Sequence, residues 1–426
     1  MTSERFETIK SGLLLLLVAL SIGLSIGLWN NTPVFEPVDQ GGYIANPVFG
    51  VGKTVEQVLL PVRIQVRFED KSGTVLHPFT KPYEQAWEEL KKLALRELVP
   101  VDNPESIKQL IRSGPHIEFR FRVGMNEEQI AQVLKMVEPN SFHMKVSSIT
   151  VFRDSAGTSH LVLSEGDQPM YRGRVAAPSR LFEYVPEWIT LPKSVEHNDG
   201  KRSFWIPHEK MTVPVLTYEK AMLPTDALAR TFFVDPTLTR RIQERDGSLI
   251  VTDGNRTVQI SSKGKQIRYS SSLPYDKPQQ TIPKDNSFQR AVAFVNEHGG
   301  MQGSYIGSLQ TVWAGSSREY LFTEYEAGLP VLPQFTGIRV ILNGNEVVEM
   351  SRNLLYLGAR VKEELVEIQP PHASIVSQAG ELYLAYAPKE ADGRIRLFPV
   401  WVVESERTST MMFDAQTGEK WQNSGE

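Results

Sequence analysis

The longest apolar run lies near the start of the chain. Residues 12–29, GLLLLLVALSIGLSIGLW, carry no charge. At 1.5 Å per residue they would make roughly 27 Å of helix, close to the ~30 Å hydrocarbon core of a bilayer. Nothing similar recurs in the 426 residues. The pattern therefore predicts one transmembrane helix followed by a long body of mixed polarity. Arg5 and Lys10 precede the run, and the first basic residue behind it is Lys53, which places the N-terminus inside and the body outside. A cleaved signal peptide is the alternative, because Ser21-Ile-Gly23 and Ser25-Ile-Gly27 are small-x-small sites. The length of the run and Trp29 at its outer edge, where interfacial aromatics sit, favour a retained anchor. Ala19, Gly23 and Gly27 recur every four residues on one helix face, a ridge on which a second helix can approach closely.

Beyond the anchor the pattern changes. Residues 31–60 are rich in Pro, Gly and Asn and predict a spacer with a short helix near 55–59. Val62, Ile64, Val66 and Phe68 alternate with polar residues, as do Ile117, Phe119, Phe121 and Val123, which predicts half-buried strands. Between them Tyr83, Trp87, Leu90, Leu93, Ala94 and Leu98 follow helical spacing. Asn126, with Gln129 in the capping-box place, predicts a helix through Val137, and strands follow near 146–153 and 160–164. Further on, 248–253, 256–261 and 266–271 form a three-strand meander with turns at Asp253-Gly254 and Lys263-Gly264. The proline-rich stretch 274–286 reads as a boundary, followed by a helix from Ser287 and paired strands around Asn343-Gly344. The expected plan is α+β, with mostly antiparallel sheets and packed helices in a multidomain body. It runs as tail and anchor (1–30), spacer (31–60), an N-terminal α+β domain (61–175), a central β-rich domain with the meander (176–280) and a C-terminal α+β domain (281–426).

Composition narrows the chemistry. There is no cysteine, which excludes disulfides, thiol catalysis and thiolate metal sites. The formal net charge is −4, and the tail before the anchor is balanced, so the body is mildly acidic and no nucleic-acid partner is expected. None of the eight histidines lies four residues from another, and the His208-Glu209 pair has Thr212 where a zinc protease needs histidine. Gly303-Ser304-Tyr305-Ile306-Gly307 puts serine second rather than third, so it is no nucleophile elbow and reads as a flexible connection. Glu88-Glu89, Glu127-Glu128 and Glu363-Glu364 are neighbours that do not face each other on a helix and read as solvated faces or helix starts. Trp188, Phe204 and Trp205 lie in a proline-broken region, either as core or as the lining of a groove. No catalytic residue, cofactor or metal is expected. The candidate working surface is the ridge Ala19, Gly23, Gly27.

Three features carry a family resemblance: the short tail with its lone anchor and cysteine-free body, the meander VTDGNRTVQISSKGKQIRYSSS with Asp253-Gly254, Arg256, Gly264 and Arg268-Tyr269, and the closing FPVWVVE…MMFDAQTGEKW. On these the chain resembles the YycH family, single-span regulators of the WalK (YycG) sensor histidine kinase in low-GC Gram-positive bacteria. The closing stretch is also similar to small extracytoplasmic modules of the YycI and PepSY type. The resemblance implies a non-enzymatic protein with its body outside the cell membrane, a YycI-type single-span partner, and contact with the kinase that includes the membrane helices. The alternatives are an anchored cell-wall hydrolase with dispersed carboxylates, or a ligand-binding sensor with a cleft in the proline-broken region.

Overall fold

The computed structural model describes residues 14–24, 50, 52–136, 144–154, 156–175, 180–198, 203–272, 286–312, 317–377, 379–404 and 410–422. They fall into two units, 1–46 and 47–426. In the first, residues 14–24 are helical, about 16 Å of the expected span. No described helix is long and apolar enough to cross a membrane. Residues 12–13 and 25–29 of the expected span lie outside the described residues, and Gly27 with them. Ala19 and Gly23 are on the helix, exposed, and a Cβ at Gly23 would meet nothing within 4 Å.

The second unit takes in the end of the expected spacer. Thr54 and Gln57 form a capping box on the short helix Val55–Val58. Just before it, the Lys53 N–H donates to Asn296 Oδ1 (2.9 Å) and Asn296 Nδ2 donates to the Lys53 carbonyl (2.8 Å). The chain is thus fastened to the helix Ser287–Glu297 before the first strand begins, so the expected spacer ends earlier than residue 60.

Three sheets follow. The first has ten strands in the order Ser203–Pro207, Ser194–Asn198, Gly73–Leu76, Arg63–Arg67, His116–Met125, Val146–Arg153, Ser159–Glu165, Gln168–Val175, Ala94–Pro100 and Lys135–Met136. The predicted alternation holds along His116–Met125, where every second residue from Ile117 is buried. The helix Lys81–Lys92 buries Tyr83, Ala86, Trp87 and Leu90, and Trp87 packs on Phe119 and Phe121. Both hydrogen bonds of the Asn126–Gln129 capping box are present.

Two helices end sooner than their spacing predicts. The first stops at Lys92 and the second, Glu127–Val133, before Val137. Ala94–Pro100 instead pairs with Gln168–Val175, and Lys135–Met136 runs parallel to Ala94-Leu95. The reason is a close approach: a Cβ at Gly173 would lie 2.4 Å from Leu95 Cδ1, so Leu95 sits over a glycine on the sheet. Sheet packing outweighs the weak helical preference of the segment. Ser194–Asn198 joins this sheet through Gly73 and Ser194, so the first sheet also runs past the expected boundary at 175.

The second sheet has nine strands: Arg240–Gln243, Leu249–Thr252, Arg256–Ile260, Gln266–Ser271, Glu346–Asn353, Ile338–Asn343, Ser317–Glu326 and Ser304–Val312, with Leu329–Pro330 beside Ser317–Glu326. The meander is present, extended by Arg240–Gln243. Its first turn is held by Asp253 Oδ1, which accepts from the N–H groups of Asn255 and Arg256. Gln266–Ser271 pairs directly with Glu346–Asn353. The expected boundary at 280 therefore cuts through one continuous sheet, because local composition carries no trace of this long-range pairing. The glycine-flanked segment expected as a flexible connection is the strand Ser304–Val312. Gly307 is there for packing, since its Cβ would lie 2.7 Å from the Phe288 ring.

The third sheet orders Leu355–Ile368, Met211–Met222, Arg394–Glu404 and Glu381–Ala391, with Met411–Asp414 also on Arg394–Glu404. Glu363-Glu364 is on its long edge strand rather than at a helix start. The class is α+β with mostly antiparallel sheets.

Candidate functional site

The three sheets meet around a cavity of about 350 Å3, within the size range of ligand pockets. Each sheet contributes differently. Ile306 and Ser308 of Ser304–Val312, with Leu321, Thr323 and Tyr325 of the adjacent strand, present one face of the nine-stranded sheet. Arg63, Gln65 and Arg122 come from the polar face of the ten-stranded sheet. From the five-stranded sheet come the consecutive residues Glu381, Leu382, Tyr383, Leu384 and Ala385.

Charge is concentrated at one end. Arg122 Nη2 lies 2.8 Å and Arg63 Nη1 3.5 Å from Glu381 Oε1. Arg122 also stacks over the Tyr383 ring at 5.4 Å, and Tyr383 donates to Glu404 Oε1 (2.7 Å). Burial works against the charge of Glu381, but Arg122 and Arg63 outweigh it and hold its pKa below the ordinary carboxylate value. Burial likewise opposes Arg122, and Glu381 overcomes it and raises that pKa. For Arg63 burial wins and the pKa is lowered, still leaving a permanent cation. The cluster joins the ten-stranded to the five-stranded sheet. Tyr218 to Glu326 (2.6 Å) and Lys265 to Glu390 (2.8 Å) join the five-stranded to the nine-stranded sheet.

Trp205 closes another wall and rests on a glycine. A Cβ at Gly73 would fall 2.2 Å from Trp205 Cζ3 and 2.4 Å from the Val66 carbonyl oxygen. The ring can move but the backbone cannot. Gly73→Ala is expected to cost about 1–3 kcal/mol through overpacking, read as a lower urea midpoint together with a changed Trp fluorescence maximum.

Beneath the cavity face, Glu324 is only 2% exposed and its Oε2 has no hydrogen-bond partner among the described residues. Burial, reinforced by the nearby charge of Glu326, pushes its pKa up to about 8, against the opposing effects of Thr336 and Arg352. Arg352, 4% exposed, donates to the Gly300 carbonyl (2.9 Å).

The sequence-level candidates divide among these places. Trp188 and Phe204 are core residues, at 0% and 1% exposure, while Trp205 lines the cavity. His208 and Glu209 are exposed. Among the described residues no group of three His, Cys, Asp or Glu can hold a metal ion. Ala19 and Gly23 belong to the other unit. The cavity cluster itself, Arg63, Arg122, Glu381 and Tyr383, was missed. The available signal was the arginine at alternate positions of a strand, which reads as a solvated face until a second sheet is known to cover it.

The profile of the YycH protein N-terminal domain matches residues 7–168, and that of its C-terminal domain matches residues 201–378. The chain belongs to the YycH family. A crystal structure of YycH from Bacillus subtilis shares the fold, with a TM-score of 0.67 at 12% identity, covering 85% of this chain and 97% of that one. No curated relative matches. The two YycH profiles leave 379–426 unmatched, and that stretch supplies Glu381, Tyr383 and Glu404 to the cavity.

Proposed function

We propose that this YycH-family chain is a membrane-tethered extracytoplasmic regulator that modulates a WalK/YycG-type sensor histidine kinase, together with a YycI-type single-span partner, by contact rather than by catalysis. The observation that carries this reading is the match to both YycH domains. Physical support comes from the uncharged run 12–29 with its small-residue ridge and from the clasp between Lys53 and Asn296. That clasp fastens the anchor-side end of the body to its nine-stranded half. A contact that differs between kinase states shifts their populations by its differential energy. About 0.5–2 kcal/mol per interhelical contact is enough to change signalling several-fold.

The ridge is directly testable. Replacing Gly23 and Gly27 together by Leu is expected to reduce co-purification with the kinase or the YycI-type partner about three- to tenfold, with membrane insertion retained. Undiminished co-purification removes the ridge from the mechanism. In-cell crosslinking of the whole chain, repeated with the anchor exchanged for an unrelated apolar helix, separates contacts made by the helix from contacts made by the body.

The hydrolase reading has less to stand on: of the cavity's two carboxylates, Glu381 is held by two arginines and Glu404 by a tyrosine. The sensor reading is favoured by the cavity itself and is compatible with regulation by contact.

A further inference from the structure

The strand Glu381–Ala391 is the last of the five-stranded sheet and pairs on one side with Arg394–Glu404. Its even-numbered residues direct their backbone groups to the other side. Tyr386 shows this, because its carbonyl accepts from the Leu332 N–H (3.0 Å) and it bridges Val331 in parallel register. Pro388 agrees: a proline within a paired strand is tolerated where its missing N–H would point away from the partner. By the same period of two, the N–H and C=O groups of Leu382 and Leu384 also point outward. The parallel pairing begun at Tyr386 stops there, and the reason is in the sequence. The next donor in that register would be residue 330, which is Pro330 and has no N–H for the Leu384 carbonyl. Among the described residues no strand pairs with this edge at 381–385.

The edge borders the cavity. A cavity lying against one face of a strand touches alternate residues, whereas this one touches five in succession, Glu381 to Ala385. It therefore runs along the edge. The opposite wall is a sheet face, which Thr323 and Ser308 line. Edge groups of this kind are complementary to another peptide main chain and to little else of comparable size.

We propose that the cavity is a peptide-binding site, in which a short extended peptide adds to the unpaired edge at Leu382–Leu384, parallel to it, and lies over the face that carries Ser308 and Thr323. The main chain supplies a donor to the Leu384 carbonyl and an acceptor for its N–H, and the ionic end formed by Arg63, Arg122 and Glu381 bounds the site. The proposal rests on the cavity alone and is independent of any kinase contact.

The test uses the full chain in detergent, with isothermal titration of acetyl-Ala-Val-Ala-Val-amide, the same peptide N-methylated at alternate residues, and uncapped Ala-Val-Ala-Val. The unmethylated peptides are expected to bind, and N-methylation to weaken binding at least tenfold. Tighter binding of the capped form identifies an internal segment of a partner chain as the natural occupant. Tighter binding of the uncapped form identifies a free oligopeptide. Thr323→Trp, which fills the cavity from the opposite wall, is expected to abolish the heat of binding. Equal affinity for the N-methylated peptide, binding that survives Thr323→Trp, or no binding of either unmethylated peptide at millimolar concentration overturns the proposal. The methylation comparison is made on the unaltered protein and holds whether or not the variant folds.

Discussion

Glu324→Gln is expected to stabilise the protein by on the order of 4 kcal/mol at pH 9 and to change little at pH 4. The carboxyl of Glu324 is buried without a partner for Oε2, and its pKa stands at about 8 instead of the ordinary 4.5. The folded state therefore holds this proton more tightly than the unfolded state. The stabilising contribution is complete below pH 4.5 and is lost as pH rises through 8, because folding must then take up a proton or bury a charge. Glutamine resembles the protonated acid in shape and removes that penalty. Urea melts of the unaltered protein and of Glu324→Gln at pH 4, 6 and 9 give the check, with the exposed Glu209→Gln as control. A stability difference that does not grow with pH contradicts the assignment.

Glu381→Ala is expected to destabilise the protein by about 2–3 kcal/mol. Exposed ion pairs are worth under about 1 kcal/mol and breaking a buried pair costs about 3–5 kcal/mol. The cluster lies between these limits, since Arg63, Arg122 and Glu381 are 16%, 33% and 34% exposed in their side chains. Most of the cost comes from the two arginines left without their nearest counter-charge in the cavity wall. The same substitution made together with Arg63→Met and Arg122→Met is expected to cost much less, a coupling that a mutant cycle reads directly. Because the pKa of Glu381 is held down, its contribution is present above the ordinary carboxylate range and lost as pH falls through its lowered value. Acid is thus expected to loosen the junction between the ten- and five-stranded sheets, the opposite dependence to that of Glu324.

What was legible in the sequence was local. The alternation at Ile117, Phe119, Phe121 and Val123, the Asn126 capping box and the Asp253-Gly254 turn each depend on residues within one element, and each is found where the pattern puts it. What escaped was decided between distant elements. Ala94–Pro100 has helical spacing, yet it is a strand because Gly173 leaves room for Leu95. The expected boundary at 280 rests on the polar, proline-rich composition of residues 274–286, while the pairing that crosses it joins Ser270 to Glu349. The cavity was hidden for the same reason. Arg63, Arg122 and Glu381 come from three segments, and each alone resembles an ordinary solvated charge. Only the packing of one sheet's polar face against another's edge makes them a site.

We propose regulation of a WalK/YycG-type kinase by contact, with the apolar run 12–29 as part of the working surface. The measurement that reaches it most directly is autophosphorylation of a WalK/YycG-type kinase reconstituted in a bilayer with the YycI-type partner, with and without this chain. A severalfold change in rate is expected when the chain is added, and loss of most of that change when residues 12–29 are exchanged for an unrelated apolar helix. An autophosphorylation rate that is the same with and without the chain would contradict it.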